Sequence, residues 1–420
     1  MAEKIKILWY SDFLKHTGFG NVAAEIISRL NATGDYEFKV IGINHDGSPY
    51  NYPESEYFQF KDIPVWPAAS PLYEDTFFGF KRFNQFINTK EFDLLFIMQD
   101  AFNIIPLRDS ILRARLEKNF KYIFYFPIDG DIKNEWVSDA ISIADYPVAY
   151  SQFGVNQVNA FTQSIRLDII PHGVDLNFFK PFEKEEDKNL FRKMYFNAEP
   201  DDFIISNINR NQPRKDLPRC MLAFSEFCKR HPDLKVKLYL HCLASDPAGH
   251  KIHDIARKYL SNMAMNKIIS PDPNLMGTNG ISTEKLGKVY AASNIITSTT
   301  LGEGWGLSTT EAMACRVPVV MPNNSALTEI IGEKEERGYL VKSGGKINAF
   351  HVHKYDNDIF RPLTDTEDLI SKWEYVYDNY SEALKKADIA LRWVQDYSWE
   401  KVVQQWDKLF KKAYKSKLNE

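Results

Sequence analysis

Short apolar segments alternate with segments of helical periodicity along almost the whole chain. Strands buried on both faces appear as continuous apolar runs, and helical crossovers connect them in parallel. The alternation therefore predicts parallel sheets covered by helices. At 420 residues, two such sheets fit the length better than one. The predicted strands are residues 5–10, 38–43, 92–98, 122–126, 203–208, 236–240, 267–269, 295–298 and 317–321, and helices are predicted over 22–30 and 111–116 and from about 217, 252, 283 and 308.

A break near the middle of the chain predicts a domain boundary. Residues 170–175 read IPHGVD, and the charged run EKEED follows at 183–187. Proline and glycine followed by charges between two α/β halves are boundary signals. We therefore predict one domain over 1–175 and a second over 176–397. From Asp365 onward the pattern is nearly all helical.

Composition and charge narrow the class of protein. The net charge of −4 disfavours a general nucleic-acid binder. No apolar run approaches the roughly 18–20 residues that span a bilayer, and the N-terminal segment lacks the features of a secretory signal, so we expect a cytoplasmic protein. The cysteines have no C-x-x-C spacing and lie in apolar patterns, which predicts buried thiols. They are Cys220, Cys228, Cys242 and Cys315.

The segment LGEGWGLSTTEAMACRVPVVMP, residues 301–322, carries the strongest functional signal. Glu303 follows an apolar segment, and Glu311 is expected in the first turn of a helix. A strand, loop and helix in this order direct a carboxylate, backbone N–H groups and a helix N-terminus at one crevice. Such a crevice suits a ligand with a phosphate end and a hydroxyl-rich end.

A purely structural interpretation of Glu311 stays open at this point. Residues 308–311 spell S-x-x-E, a capping box in which Ser308 and Glu311 satisfy the backbone at a helix start. Gly304 and Gly306 are consistent with a tight turn. Glu303 has no obvious capping or core role, and loops at the ends of parallel strands concentrate binding residues.

A second candidate lies between the first strand and the first helix. Gly18, Gly20 and Ala23 half-match the dinucleotide fingerprint G-x-G-x-x-A. The gap from the strand to Gly18 is too long for that fingerprint, and no acidic residue closes the second strand. This argues against a dehydrogenase and predicts a flexible glycine turn that lets backbone approach a ligand.

Cations gather after the predicted strand 203–208. Arg210, Arg214 and Lys215 precede a predicted helix, where they form a plausible diphosphate clamp. The alternative is a solvated basic loop.

Asp129 and Asp131 form a D-x-D tripeptide of the kind that metal-dependent sugar transferases use to hold a divalent ion. The tripeptide is short and common, so it is weak evidence alone. The histidine pairs His250/His253 and His351/His353 lack supporting ligands at a telling spacing, and we interpret them as surface histidines.

Taken together, these residues resemble the retaining glycosyltransferases of family 4, which have the GT-B fold. EGWGLSTTEAMACRVPVV is similar to the family signature E-G-F-G-L-x-x-x-E-A-M-A-x-G-x-P-V-V, and Glu303 and Glu311 match its two glutamates. Arg210 and Lys215 match its paired cations, and residues 171–175 its interdomain segment. Residues 397–400 look like the point where a final helix, 398–420, returns to the N-terminal domain.

The resemblance implies two facing Rossmann-like domains that close over the substrates. The second would bind a nucleotide-diphosphate sugar (UDP- or GDP-linked), with residues 270–276 contacting the base. The first would bind the acceptor. Transfer would retain the anomeric configuration by front-face substitution, with no metal or other cofactor required. The implied catalytic residues are Glu303, Arg210 and Lys215; the implied donor-binding residues are Gly18, Gly20, Gly304, Trp305, Gly306, Leu307, Ser308 and Glu311; and the implied acceptor-side residues are Asp129 and His172.

The chain departs from the family pattern at three places. Residues 17–20 read TGFG where many members carry a double glycine, and Arg316 stands where glycine is common. Ile128 precedes Asp129 where members often have His-Asp, so the usual histidine contact to the donor sugar is not expected.

Other functions remain open on sequence alone. They are a metal-dependent D-x-D transferase, a phosphorylase or epimerase of the same fold, and a non-catalytic carbohydrate-binding protein. The acceptor is equally open: a carbohydrate, a glycolipid, a small metabolite or a hydroxymethylated DNA base. The lysine-rich C-terminal end is consistent with peripheral membrane contact or with a solvated helix.

Overall fold

A computed structural model describes residues 3–14, 17–48, 57–69, 75–132, 136–271, 280–345, 349–352 and 359–419. The chain forms two compact units. Unit 1 comprises Met1–Ile128, Ile132–Gly173 and Trp399–Glu420, and unit 2 comprises Asp129–Asp131 and Val174–Ser398. Most of the predicted base-contact segment, from residue 272 onward, lies outside the described residues, as does His353.

Unit 1 is built on one sheet. Its elements in chain order are β1 (Ile5–Asp12), α1 (Gly18–Asn31), β2 (Tyr36–Ile43), β3 (Phe58–Phe60), β4 (Ile63–Pro67), α2 (Phe80–Thr89), β5 (Leu94–Met98), α3 (Ile105–Glu117), β6 (Lys121–Phe126), α4 (Trp136–Ser142), β7 (Tyr146–Ala149), α5 (Gln152–Phe161) and β8 (Asp168–Ile169), followed much later by α15 (Trp399–Leu418). The described strands pair in the order β3-β4-β2-β1-β5-β6-β7-β8. All neighbours are parallel except β3 and β4. The strands β5 and β6 are buried along their whole length, as parallel strands covered on both faces must be.

Gly18 and Gly20 do not form the predicted flexible turn. They lie in the first turn of α1, whose N-cap is Thr17; the Thr17 hydroxyl accepts a hydrogen bond from the Gly20 N–H at 2.9 Å. Capping by threonine satisfies one of the donors that a helix start leaves open. The prediction of a flexible turn was wrong because Thr17 caps the helix, so the glycines that follow it are already helical.

The C-terminal helix belongs to unit 1. The helix α15 packs against α1, β5 and β6. Its buried rings Trp406 and Phe410 meet Phe96 of β5 edge-on, with ring centroids 5.3 and 5.6 Å apart. Burial of these large aromatic side chains fixes the helix on the sheet.

Unit 2 is built on a second sheet. Its elements are α6 (Glu185–Phe196), β9 (Phe203–Ile208), α7 (Leu217–Arg230), β10 (Val236–His241), α8 (Ile252–Tyr259), α9 (Asn262–Met265), β11 (Ile268–Ile269), α10 (Thr283–Ala292), β12 (Ile295–Thr297), α11 (Leu307–Ala314), β13 (Val319–Pro322), α12 (Ser325–Ile331), β14 (Tyr339–Val341), β15 (Phe350–Val352), β16 (Phe360–Pro362), α13 (Thr366–Asp378) and α14 (Tyr380–Val394).

The sheet of unit 2 is wholly parallel over the described strands, in the order β11-β10-β9-β12-β13-β14. This is the doubly wound Rossmann order, and it reverses direction between β9 and β12. Ligands bind such sheets at the carboxyl ends of the strands that flank this reversal. The topology therefore directs attention to the loops that follow β9 and β12.

The sequence predicted most of the long strands to within two residues, including 203–208. It missed several short ones, namely β3, β4, β7, β8, β14 and the antiparallel pair β15–β16. The four cysteines are buried free thiols, as predicted. Among the described residues, no helix combines the length and the apolar character required to span a bilayer.

Candidate active site

The loops after β9 and β12 are joined by hydrogen bonds to backbone carbonyl groups. The Leu301 N–H donates to the Arg214 carbonyl at 2.8 Å, and the Thr299 hydroxyl donates to the Asp216 carbonyl at 2.8 Å. Residues 213–215 form a short 3-10 turn, so Arg214 and Lys215 project from a fixed backbone. Since these loops flank the reversal of the sheet, the side chains that they carry lie where the fold positions ligands.

Lys215 and Glu303 form an ion pair at this position. The Lys215 ammonium bonds Oε1 of Glu303, and both side chains are largely buried, at 14% and 13% exposure. Burial opposes ionisation of the carboxyl, but Lys215 and Arg214 outweigh it, so the pKa of Glu303 is lowered. Glu303 is therefore a carboxylate at neutral pH. It follows β12, whereas the Lys215 ammonium that binds it comes from the loop after β9.

Arg214, which the implied catalytic set of Arg210 and Lys215 leaves out, also lies beside Glu303. One of its guanidinium nitrogens lies 3.4 Å from Oε2 of Glu303, and another lies 3.4 Å from Oδ2 of Asp129. The same side chain donates to the Gly302 carbonyl. The three cations of the segment were visible in sequence, but nothing in their spacing distinguished which two would face Glu303.

Asp129, predicted on the acceptor side, is held by two arginines in unit 2. Nη1 of Arg361 donates to the Asp129 carbonyl oxygen at 2.8 Å and to its Oδ1 at 2.9 Å. Burial would raise the pKa of Asp129, but Arg361 and then Arg214 outweigh it and the pKa is lowered. No pattern in the sequence identified Arg361 as the partner of Asp129, because the two residues are 232 positions apart along the chain.

Arg210 pairs with a different carboxylate from the one beside Arg214 and Lys215. Its Nε donates to Oδ2 of Asp246 at 2.9 Å, and the side chain is half exposed. Asp246 is buried and lies in the segment after β10. The structure thus brings Lys215 and Arg214 to Glu303 and places Arg210 against a separate carboxylate.

Glu311 does not cap a helix. The helix α11 begins at Leu307 with Gly306 as its N-cap, so Glu311 lies in the second turn and the capping-box interpretation is wrong. Oε2 of Glu311 accepts a hydrogen bond from the Tyr290 hydroxyl of α10 at 2.7 Å. Burial raises the pKa of Glu311 to about 7, although the Tyr290 bond acts in the opposite direction. A buried carboxyl with a raised pKa is a candidate for a binding site.

This raised pKa predicts a pH dependence of stability. Between pH 4.5 and about 7 the unfolded chain releases the Glu311 proton while the folded chain keeps it, so the free energy of unfolding falls as the pH rises. Glu311→Gln removes this loss. From pH 4.5 to 8 the variant should gain about 1–3 kcal/mol relative to wild type, allowing for partial exposure of the carboxyl. Urea unfolding of both proteins at the two pH values measures the difference, and parallel pH profiles would contradict the assignment.

The glycine loop and the start of α11 form the rest of the predicted donor site. Gly306 has φ +110°, a backbone conformation that favours glycine, and a Cβ there would lie 2.8 Å from Cδ2 of Leu327. The N–H groups of Leu307 and Ser308 lie in the first turn, where no intrahelical acceptor exists. The Trp305 ring is buried against the Tyr397 ring. Gly304 lies between Glu303 and Trp305 in the same loop.

His172 lies buried within unit 1. Its Nδ1 is 2.8 Å from the Tyr125 hydroxyl, which itself donates to the Ile170 carbonyl at 2.8 Å. Because that hydroxyl has one proton, Nδ1 of His172 is the donor and Nε2 carries the lone pair. Burial lowers the pKa of His172 to about 3, so the ring is neutral. Within the described part of the chain, no three His, Cys, Asp or Glu side chains are grouped as a metal site would require.

Comparison with known proteins shows that part of the chain is similar to a known protein family. Residues 191–353 match the family model described as Glycosyl transferases group 1. The chain is 22% identical over 353 residues to an alpha,alpha-trehalose-phosphate synthase (UDP-forming) of Encephalitozoon cuniculi, covering 74% of this chain and 72% of the relative. It is 24% identical to a D-inositol 3-phosphate glycosyltransferase of Segniliparus rotundus, but that alignment covers only 42% of this chain and 36% of the relative.

Solved structures share the fold over nearly the whole chain. Sucrose-phosphate synthase from Thermosynechococcus elongatus superposes with a TM-score of 0.74 at 16% identity, over 98% of this chain and 100% of the other. HepE of Anabaena, solved with UDP and glucose, gives 0.67 at 15% identity, over 97% and 100%. The chain has the GT-B fold that these solved structures share. Within that fold, residues 191–353 are similar to the group 1 glycosyl transferases.

Proposed function

We propose that the protein transfers a sugar from a nucleotide-diphosphate donor to an acceptor hydroxyl with retention of the anomeric configuration. The observation that carries this proposal is the buried Lys215–Glu303 pair at the reversal between β9 and β12, beside the start of α11. A cation for phosphate, a carboxylate for hydroxyls and a helix N-terminus for an anion suit the two ends of such a donor. Two comparison proteins name UDP in their descriptions, which supports a UDP-sugar.

The roles follow from the charges of the site. Lys215 and Arg214 offset the negative charge that grows on the departing diphosphate, with Arg210 as a further cation on the same loop. Glu303 and the backbone N–H groups from Gly304 to Leu307 hold sugar hydroxyls. Glu311 holds ribose hydroxyls. Unit 2 is the donor-binding part and unit 1 the acceptor-binding part in this proposal.

The state of Glu303 supports front-face substitution over a covalent intermediate. Its carboxylate is engaged by Lys215 on one oxygen and lies 3.4 Å from Arg214 on the other, which lowers its nucleophilicity. In the proposed step, the bond from the anomeric carbon to the phosphate oxygen breaks. The acceptor oxygen bonds to the same face of that carbon, and the acceptor proton passes to the leaving phosphate.

Ligand-induced stabilisation tests the donor assignment directly. A ligand that binds only the folded protein raises its melting temperature. We expect UDP, or failing that GDP or ADP, to raise the melting temperature, with little effect from the matching nucleoside. An acceptor panel should start with phosphorylated sugars and polyols, since the names of three comparison proteins contain them. NMR of the product anomeric centre then tests retention, and an inverted product would contradict the mechanism.

The second candidate is a metal-dependent transfer at Asp129 and Asp131. The Asp129 carboxylate is bonded by Arg361 and lies 3.4 Å from Arg214, which leaves it poorly placed to bind a divalent ion. We therefore expect at least half of the transfer activity to survive excess EDTA. Loss of activity with EDTA, restored by Mg²⁺ or Mn²⁺, would favour the D-x-D mechanism instead.

A further inference from the structure

Arg361 is a buried cation with no role in the pattern that identified the family. It lies in β16, the second strand of the antiparallel pair β15–β16, with its side chain only 3% exposed. The family match ends at residue 353, so both Arg361 and its partner Asp129 lie outside it. Burying a guanidinium is expensive unless it is paired, and here the pair is made with Asp129.

The segment Asp129–Asp131 is fitted closely to this strand and to the Glu303 loop. Asp131 forms a β-bridge with Phe360. A Cβ added to Gly130 would lie 2.6 Å from Cγ2 of Ile359, and one added to Gly302 would lie 1.8 Å from the Asp129 carbonyl oxygen. These close approaches fix the Asp129 carboxylate between Arg361 and Arg214.

Five charged side chains thereby alternate in sign across the site. The order is Arg361, Asp129, Arg214, Glu303 and Lys215, with separations of 2.9 Å from Arg361 to Asp129 and 3.4 Å on each side of Arg214, and with Lys215 bonded to Glu303. Three cations and two carboxylates leave a net charge of +1. Without Arg361, the Asp129 carboxylate would be balanced by Arg214 alone. The net charge of the group would fall to zero.

We propose that Arg361 is a positioning residue for the donor diphosphate. By neutralising Asp129, it leaves Arg214 and Lys215 available to an anion and keeps the group net positive. The inference rests on the proposed function, because it assumes that the anion is the diphosphate of a nucleotide donor. The strand β16, which lies outside the family match, would then contribute to recognition of the donor.

A double-mutant cycle separates this role from a structural one. Arg361→Gln should weaken UDP binding on the order of tenfold, since removing one nearby charge in a partly buried site changes the interaction by about that factor. The variant Asp129→Asn/Arg361→Gln restores the net charge of +1 and should bind UDP within about threefold of wild type. Arg361→Lys should lie between wild type and Arg361→Gln. Isothermal titration calorimetry measures each, with GDP or ADP replacing UDP if wild type prefers it.

Two controls make the outcome specific. Binding of the uncharged nucleoside, followed by NMR titration, should be unchanged in Arg361→Gln, because the proposed effect acts on phosphate charge. Arg192→Gln removes another buried arginine of unit 2, which donates to the Ala292 carbonyl at 2.8 Å. It should lower the melting temperature without changing UDP affinity.

Three results would overturn the inference. They are a double variant that binds UDP as weakly as Arg361→Gln, an equal loss of nucleoside affinity in Arg361→Gln, or unchanged UDP affinity in that variant. Each leaves the proposed function standing if the wild-type protein binds the nucleotide. A wild-type protein that binds none of UDP, GDP and ADP would instead refute the proposed function and this inference together.

Discussion

Glu303→Ala is expected to reduce sugar transfer below detection while the protein stays folded. The carboxylate sits at the reversal of the sheet in unit 2, paired with Lys215 and 3.4 Å from Arg214. Its removal takes away the proposed acceptor for sugar hydroxyls and frees two cations that would then be neutralised by the diphosphate alone. The donor should therefore bind, and bind no more weakly, while transfer is lost, because the sugar is no longer oriented.

The measurement is the rate of transfer together with the affinity for UDP and the melting temperature. Glu303→Gln keeps the shape of the side chain and should be nearly as inactive, since the negative charge is absent. Glu335→Ala is a matched control in the same unit, as its carboxylate bonds Lys372 at 2.7 Å and lies 3.8 Å from Lys386. That control should retain transfer. A Glu303→Ala protein with wild-type turnover would end the proposed role of this residue.

The second large effect is expected at Lys215. Lys215→Ala should lower turnover by a factor on the order of 10²–10³, by analogy with the loss of one preorganised group that stabilises transition-state charge. Burial and the bond to Glu303 hold the ammonium in place before the donor arrives. Charge on the leaving diphosphate is larger in the transition state than in the bound donor, so the main effect should fall on turnover.

Steady-state kinetics with a saturating donor distinguishes turnover from binding. Lys215→Arg keeps the charge on a longer, planar group and should recover part of the lost rate. Lys372→Ala, which removes a partly buried lysine paired with Glu335, is the matched control and should leave turnover unchanged. A Lys215→Ala protein within a factor of a few of wild type would remove the diphosphate clamp from the mechanism.

Much of the fold and part of the site could be predicted because both are encoded locally. A parallel strand buried on two faces must be apolar throughout, so β9 was visible as FIISNI and β5 as LLFIM. Glu303 was visible because a carboxylate between glycines follows such a strand. The short strands β8 and β14 were missed because two or three residues carry too little pattern.

The errors have equally local causes. The S-x-x-E pattern matched a capping box with Ser308 as the N-cap, but the observed N-cap is Gly306, two residues earlier, which moves Glu311 into the second turn. At Gly18 and Gly20 the glycines suggested a turn, whereas the Thr17 cap starts α1 immediately before them. In both cases the helix boundary depends on which residue provides the cap, and several neighbouring residues were capable of it.

The sequence by itself determined that two apolar parallel sheets would form, and that Glu303 would leave one of them in a glycine-flanked loop. Periodicity and turn chemistry act over a few residues, so they can be read along the chain. Only the tertiary structure decided that Arg214 and Lys215 would face Glu303, that Arg210 would pair with Asp246, and that Arg361 would hold Asp129. Ion pairs between residues up to 232 positions apart depend on which strand ends and loops meet in space, and no spacing along the chain encodes that.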